Sequence, residues 1–595
     1  MQNKKILINP QDWVLKDGIL VPKSTLLPKF ETPKLDRDVF AYATFGLLFP
    51  KEENSLSIIK KEFKNYYIQD IIQVLAKINY IISSIYYKPD LQELNFLKQF
   101  LEDEQIEIIN KQKDKIKLVS RQQVLANIRL ALLYSVDNPK AKTVYGNEKE
   151  FGKLFFRITD FMEDTFEDED LESLKNWPGK KKLYISLARN LVFNEATTFA
   201  SSLARYWFIF NKIAYNKTNR SFKLKSLYRS SVGTNFNYLF AVGFSIWGFY
   251  SKPNQQKRLS QPHEFLFNSN YFRKANKRAR VKLLKALENL SDNSEFFHKE
   301  FKKMNQKGGE YFAFNIIWRK PIFKTEVGAY YALDLKYLED RLTFGAFWFI
   351  FDKAKSDEER SNLRGKWGNI FESYVNYLFK ETYKAKEKVV YFELDGDINC
   401  GVDIILYYPD VLFLIEVTTR QIKHNSWTSG KAEEIETDLK KLLLGKTDNS
   451  KGRVTKLYEA LEKIKSGETK IPGIDIAKIK KFIPVVLFEK TLPMHNKIWE
   501  FYSHFLEENG IKDRNFLAEL EFWDIEEMEM LLADVVSGKA LPDILKEKED
   551  SGYYKDSVRN FYIIKRKDFS KHPVTKEAFD LMADNAKAIL FQKKE

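Results

Sequence analysis

Apolar residues recur at spacings of three and four through much of the first half of the chain. IIKKEFKNYYIQDIIQVLAKINYIISSIYY between Asp36 and Glu104, RQQVLANIRLALLYSV, EKEFGKLFFRITDFMEDTF and residues 180–215 all carry this pattern, which predicts amphipathic helices. Residues 1–35, punctuated by Pro10, Pro22, Pro28 and Pro33, predict irregular structure. The acidic run Glu167 to Asp170 reads as a solvated loop or helix end. KANKRARVKLLKALENL predicts a basic helix with Val281, Leu284 and Leu287 on one side, and DLKYLEDRLTFGAFWFIFDKA predicts another helix. The polar, Gly-containing run SDEERSNLRGKWG at 356–368 is then expected to mark a domain boundary.

Beyond that boundary the apolar runs shorten. GNIFESYVNYLFKETY predicts a helix with Phe371, Val375, Leu378 and Phe379 toward a core. A strand VVYFEL, two apolar runs VDIILYY and VLFLIEV joined at Pro409-Asp410, a polar loop HNSWTSG, helices AEEIETDLKKLLL and GRVTKLYEALEKI, and a strand FIPVVLFEK follow. The turn pair makes the two central runs a β-hairpin. The order α-β-β-β-α-α-β predicts a sheet with helices on its faces. After Pro493, HNKIWEFYSHFLEENG predicts a helix ending at Gly510, and NFLAELEFWDIEEMEMLLADVVSG predicts an acidic helix. FYIIKRKDF reads as a short strand that extends the sheet or pairs locally.

The hairpin carries one carboxylate per strand where a core residue is expected, Asp403 near the start of the first run and Glu416 near the end of the second. An ionised carboxylate costs several kcal/mol to bury unless it is paired or binds a metal. With the turn at 409–410, the two lie at nearly the same distance from it on neighbouring strands, so both can converge on one cation. The bland readings are a strand-entry Asp403 bonded to the turn after Asn399, and a Glu416 paired with Arg420 or a nearby lysine.

With these elements and acids in place, residues 367–490 resemble the PD-(D/E)XK nuclease superfamily, whose core has this order and whose signature is an acid in the second strand and Glu/Asp-X-Lys in the third. Asp403 matches the first acid and Glu416-Val417-Thr418 the tripeptide, 13 residues on. Glu372 matches the glutamate that many members carry on the preceding helix. The resemblance implies Mg²⁺ or Mn²⁺ held by Asp403, Glu416 and the Val417 carbonyl. The ion would activate a water for phosphodiester hydrolysis, with Glu372 on a further water or ion. The sequence departs from the pattern at Thr418, where a hydroxyl cannot supply the lysine's positive charge. Arg420, on the same strand face, and Lys431, at the start of the next helix, are the alternative sources. A domain that binds without cutting is the third reading. Gln421 is a further candidate contact to DNA or water, and His424 reads as an exposed loop residue.

Composition narrows the setting. At 595 residues the chain predicts three or more units. One cysteine, Cys400, excludes a disulfide framework or a Cys-rich zinc site, and the basic start lacks an apolar signal region, so a cytoplasmic location is expected. The net charge is +15, yet residues 491–595 carry 16 Lys/Arg against 21 Asp/Glu. Between Lys212 and Lys285 there are 16 Lys/Arg and one acid, Glu264, with Phe222, Tyr228, Phe236, Tyr238, Phe265, Tyr271 and Phe272 interleaved. Basic residues neutralise phosphates and exposed rings stack on bases, so this stretch is the expected nucleic-acid surface. Arg258, Arg273, Lys274, Lys277, Arg278 and Arg280 are its candidate contacts. The 22 uncharged residues 230–251 predict a buried helix rather than a membrane span. The 24 glycines form no phosphate-cradling GxxxxGK[ST] loop.

The sequence therefore predicts a multidomain α+β protein. A mainly helical, basic and aromatic region at 1–355 precedes a restriction-endonuclease-like α/β domain at 356–490 and an acidic helical segment at 491–595. The expected function is metal-dependent DNA endonuclease activity in a bacterial restriction, antiviral or mobile-element system, with DNA favoured over RNA. A homodimer or an activating partner protein is compatible with it, and no membrane partner is expected. The alternative is an inactive, nuclease-derived nucleic-acid-binding or scaffold protein.

Overall fold

The three-and-four spacing of the first half does fold as helices, and their apolar stripes meet one another. The computed structural model describes residues 13–16, 19–22, 41–83, 98–112, 116–117, 119–161, 199–250, 267–306, 314–384, 390–423, 426, 432–446, 450–490, 492, 496–562, 565 and 571–591. Ile68–Ser83 packs on Arg121–Tyr134, and Leu56–Phe63 and Glu148–Arg157 close the cluster. Helices α1 (Phe199–Asn211), α2 (Leu224–Val232), α3 (Phe236–Tyr250) and α4 (Lys277–Leu290) follow. In α4 the buried stripe is Ala279, Leu283, Ala286, Leu287 and Leu290, whereas Val281 is 62% exposed, so the side expected from Val281 and Leu284 is rotated. The uncharged stretch becomes α3, packed on α1 and α4; no helix among the described residues is long and apolar enough to cross a membrane.

Two expectations for this region change. The proline-rich start contains an antiparallel hairpin, Trp13–Lys16 with Ile19–Pro22. A four-stranded sheet of short strands is built from Phe267–Asn268, Ala329–Ala332, Ile322–Lys324 and Ser291–Asp292, in that order. Strands of two to four residues leave no readable alternation. The run 334–354 likewise splits into Leu335–Leu342 and Gly345–Phe351.

The run SDEERSNLRGKWG is not a linker. It is the first half of one 27-residue helix, α5 (Asp357–Tyr383). Ser356 caps it by accepting from the Glu359 N–H, and Asp357, Glu358 and Glu359 fill the first turn, where the helix dipole favours negative charge. The polar composition reflects solvent on that turn rather than a break in the helix.

Five strands form the second sheet: β1 (Val390–Phe392), β2 (Ile404–Tyr407), β3 (Val411–Thr418), β4 (Lys481–Phe488) and β5 (Glu521–Asp524), in spatial order β5-β4-β3-β2-β1. β2 runs antiparallel to both β1 and β3, whereas β3, β4 and β5 run parallel. Parallel neighbours need crossovers. Ala432–Leu439 and α6 (Arg453–Lys465) make the first, and Asn496–Glu508 with Arg514–Glu519 the second. The stretch expected as one acidic helix thus contains an edge strand, Glu521–Asp524, followed by α7 (Ile525–Val536), whose start is a reciprocal Asp524–Glu527 capping box. The described part of FYIIKRKDF opens on a helical turn, Val558–Phe561, and α8 (Pro573–Leu590) ends the fold.

Strand alternation sorts the sheet onto two cores. Phe413, Ile415, Val417, Val485 and Leu487 share one core with α5, the helical region, α7 and α8. Leu412, Leu414, Val486, Phe488 and Phe522 pack with α6 and the crossover helices on the other face. Buried polar pairs pin α1 to the rest. Arg205 donates to both Glu529 oxygens at 2.6 and 2.8 Å, and Tyr374 Oη donates to Glu529 Oε1 at 2.7 Å. Tyr206 Oη and Trp367 Nε1 donate to the Glu489 carboxyl group at 3.0 and 3.1 Å.

Removing one partner of a buried ion pair leaves an uncompensated charge, so Arg205→Met is expected to lower unfolding free energy by about 3–5 kcal/mol in urea titration. Arg205→Met/Glu529→Met is expected to lose less than the single substitution.

Candidate active site

Period-two geometry places Asp403 and Glu416 side by side. Ile404 pairs with Ile415, so one step outward sets Asp403 opposite Glu416. Asp403 Oδ2 accepts the Val417 N–H at 2.6 Å, and its carbonyl accepts the Glu393 N–H at 3.0 Å. Glu416 is wholly inaccessible and points away from α5, toward the first turn of α6. Arg453 Nη1 donates to Glu416 Oε2 at 2.7 Å, and Lys456 Nζ to Oε1 at 3.2 Å.

The groups form one electrostatic unit. Burial, then the neighbouring Asp403 charge, pushes the Glu416 carboxyl up to about 7 against the pull of Arg453 and Lys456. Burial and the charges of Asp403, Glu393 and Glu416 push Glu372 up to about 8. Asp403 and Glu393 are also raised, by burial first in each case. Four carboxylates from α5, the ends of β1 and β3, and the residue before β2 thus repel one another across one site. The cations of α6 only partly offset this.

The candidate residues fall as follows. Asp403 and Glu416 face each other on neighbouring strands, and Glu372 lies within reach of their charges. Val417 donates its N–H to Asp403 and turns its side chain into the core shared with α5. Thr418 is buried, and its hydroxyl accepts the Arg420 N–H at 3.1 Å, which ties it to the local turn. Arg420 lies within the fields of Arg453 and Glu416, and burial lowers its pKa first. The reading of Glu416 as a partner of Arg420 gives way to Arg453 and Lys456, which make its ion pairs. Lys431, His424 and Arg258 lie outside the described residues. Arg273, Lys274, Lys277 and Arg278 are exposed and Arg280 half-buried, at and before the start of α4, which is not one of the elements that build the carboxylate site.

Nothing in the sequence near Thr418 points to Glu393, Arg453 or Lys456, which come from the end of another strand and from a helix beyond the crossover. A signal was present. GRVTKLYEALEKI puts two cations and no acid in and just after a helix's first turn, where the dipole disfavours them; a buried anion such as Glu416 removes that penalty. Gly452 makes the approach possible, since a Cβ there would lie 2.3 Å from the Leu444 backbone.

The aromatic residues interleaved with the basic stretch are core rather than stacking platforms. Phe222, Tyr228, Phe236 and Phe272 are buried, and Lys282 Nζ lies 5.1 Å from the centre of the Tyr238 ring. Phe265 is outside the described residues.

Among the described residues no three His, Cys, Asp or Glu side chains are grouped closely enough to hold a metal ion. The donors present are nonetheless all carboxylate oxygens, and their mutual repulsion is what a hard divalent cation relieves. One or two carboxylates with several waters suffice for Mg²⁺. No family model, no curated protein and no solved structure matches the chain.

A carboxyl group whose pKa is raised by folding binds more protons folded than unfolded between its two pKa values, so its contribution to stability falls as pH rises through that window. Glu372, raised to about 8, gives the test. The stability of Glu372→Gln relative to wild type, from urea unfolding without divalent ions, is expected to increase steadily as pH rises from about 5 to about 8.5.

Proposed function

We propose that the chain is a metal-dependent phosphodiester hydrolase acting on DNA as an endonuclease. The observation that carries this reading is the electrostatic coupling of Glu372, Glu393 and Glu416 to Asp403 at one end of β1, β2 and β3, with Arg453 and Lys456 seated against Glu416. Such an arrangement is expensive to keep unless charge must be held there for chemistry.

Asp403 and Glu416 are the residues that would hold Mg²⁺ or Mn²⁺. When bound, the ion supplies charge neutralisation at the phosphate and lowers the pKa of a water at the site. The protein's own groups do the rest. Glu372 takes up the proton of the attacking water in its carboxylate form, which a bound cation favours by offsetting the charges of Asp403, Glu393 and Glu416 that raise its pKa. Lys456 supplies the positive charge that Thr418 cannot, from a helix rather than from the strand, and stabilises the phosphate as negative charge grows on its oxygens. Arg453 holds Glu416 in its orientation. The water oxygen forms a bond to phosphorus, one P–O ester bond breaks, the departing oxygen takes a proton from solvent, and Glu372 returns to solvent the proton it accepted.

A bacterial restriction, antiviral or mobile-element setting is the context we associate with this activity. Incubation with plasmid, linear duplex, single-stranded DNA and RNA in Mg²⁺ or Mn²⁺ tests it. Cutting is expected in wild type and absent from Asp403→Ala/Glu416→Ala. Wild type that binds but leaves every substrate intact under these conditions would favour the inactive, binding-only reading.

Lys456→Ala is expected to lower kcat by about 10²–10³-fold, the range seen when one charge-stabilising donor is removed, with KM changed much less. A comparable loss confined to Arg420→Ala or Lys431→Ala would move the role to that residue.

A further inference from the structure

The turn between α1 and α2 crowds positive charge without balancing it. Lys212, Lys217, Arg220 and Lys223 are exposed, and Lys225 is half-buried. No carboxylate among the described residues forms an ion pair with any of them. The crowding is physical: burial and the neighbouring Lys212 charge hold the Lys225 ammonium below its usual pKa.

The backbone adds a second observation. Lys223 is the one non-glycine residue with positive φ among the described residues, at φ 51° and ψ 39°. Glycine or asparagine suits that conformation, and a lysine there is strained. Its side chain is exposed, so the strain is not retained for packing.

Position gives a third. Asn219 Nδ2 in this turn donates to Ser373 Oγ of α5 at 3.0 Å, beside Glu372. Lys366 of α5 is exposed, with its Nζ 5.5 Å from the centre of the buried Phe222 ring. The charged turn is therefore packed directly against the helix that carries Glu372.

The rings of this surface offer little to bases. Phe222 is buried beneath Lys366, and Tyr215, 38% exposed, has Lys225 Nζ 4.0 Å from its ring centre. Single-strand binders combine cations with free rings on which bases stack. Here the cations are present, Phe222 is buried, and the exposed ring of Tyr215 already has a cation over it. A duplex, which keeps its bases inside and offers phosphates, is the ligand that fits.

We propose that Lys212, Lys217, Arg220, Lys223, Lys225 and Lys366 form a phosphate track that carries the backbone of duplex nucleic acid toward the carboxylate site, without reading base sequence. The track's destination rests on the nuclease reading; its binding does not.

The test is fluorescence anisotropy of the full chain in EDTA, so that no cleavage is read. The probes are labelled duplex DNA of two unrelated sequences and one matched single strand, across a salt series. Wild type is expected to bind both duplexes alike and more tightly than the strand. Lys212→Gln/Lys217→Gln/Lys225→Gln is expected to weaken duplex binding at least about tenfold near 0.1 M salt and to flatten the slope of log affinity against log salt by about three. Lys223→Gly separates charge from fold, because glycine adopts this φ without strain. Its thermal midpoint should equal or exceed wild type while its salt slope falls by about one. Unchanged affinity and slope in the triple variant would overturn the track, as would tighter binding of the single strand. A loss found instead in Lys277→Gln/Arg278→Gln/Arg280→Gln on α4 would also overturn it. Any of these results leaves the cleavage assay untouched, and absence of cleavage leaves the track untouched.

Discussion

A carboxylate with no exposure to water, set into a central strand, is the constraint on which the site depends. Glu416 occupies a position where its neighbours Leu412 and Leu414 are core residues. Burying that charge alone would cost several kcal/mol. The answer lies 37 residues on, where Arg453 enters beside Lys456. That answer in turn fixes the register of α6 on the sheet and requires Gly452 at the close approach. Asp403 adds a second acid on the adjacent strand, and its bond to the Val417 N–H locks the hairpin where both must sit.

The site also depends on what lies across the sheet. Glu372 comes from α5, whose other sides are held by Asn219, by the Arg205–Glu529 pair through Tyr374, and by Glu489 through Trp367. Glu489 directly follows β4, and its N–H donates to the Thr418 carbonyl at 2.9 Å. The strand bearing the acids and the helix bearing the fourth carboxylate are thus set relative to one another by groups of the helical region and the C-terminal segment. The sheet face carrying Phe413, Ile415 and Val417 has no core of its own.

How much of this was legible in the sequence varied with the range of the interaction. The hairpin, its two acids, α6 and β4 follow from local alternation and a Pro-Asp turn, and the structure has them. Glu372 was readable from its place on the preceding helix. The partners of Glu416 are not legible from proximity in sequence, because α6 starts beyond the first crossover helix. Helix α5 was legible only in its second half: the polar run at 356–368 reads as a domain boundary, and its Ser356 cap and acidic first turn are the signs that it begins the same helix. Strand β5 was hidden inside an acidic stretch, since four residues give two alternations at most. The aromatic residues from Phe222 to Phe272 signalled a core, and their company of lysines disguised it.

Helix α5 has a consequence for how such a protein can change over time. Its 27 residues face the sheet, α1, the turn at Asn219 and α7 at once. No cut within it yields two pieces with complete interiors, so the carboxylate-bearing unit is not a cassette that recombination can lift out and set beside a different helical partner. Divergence in any one of the packed layers must be matched in the others through this single rod. The exposed turns are the places where side chains can vary without that constraint.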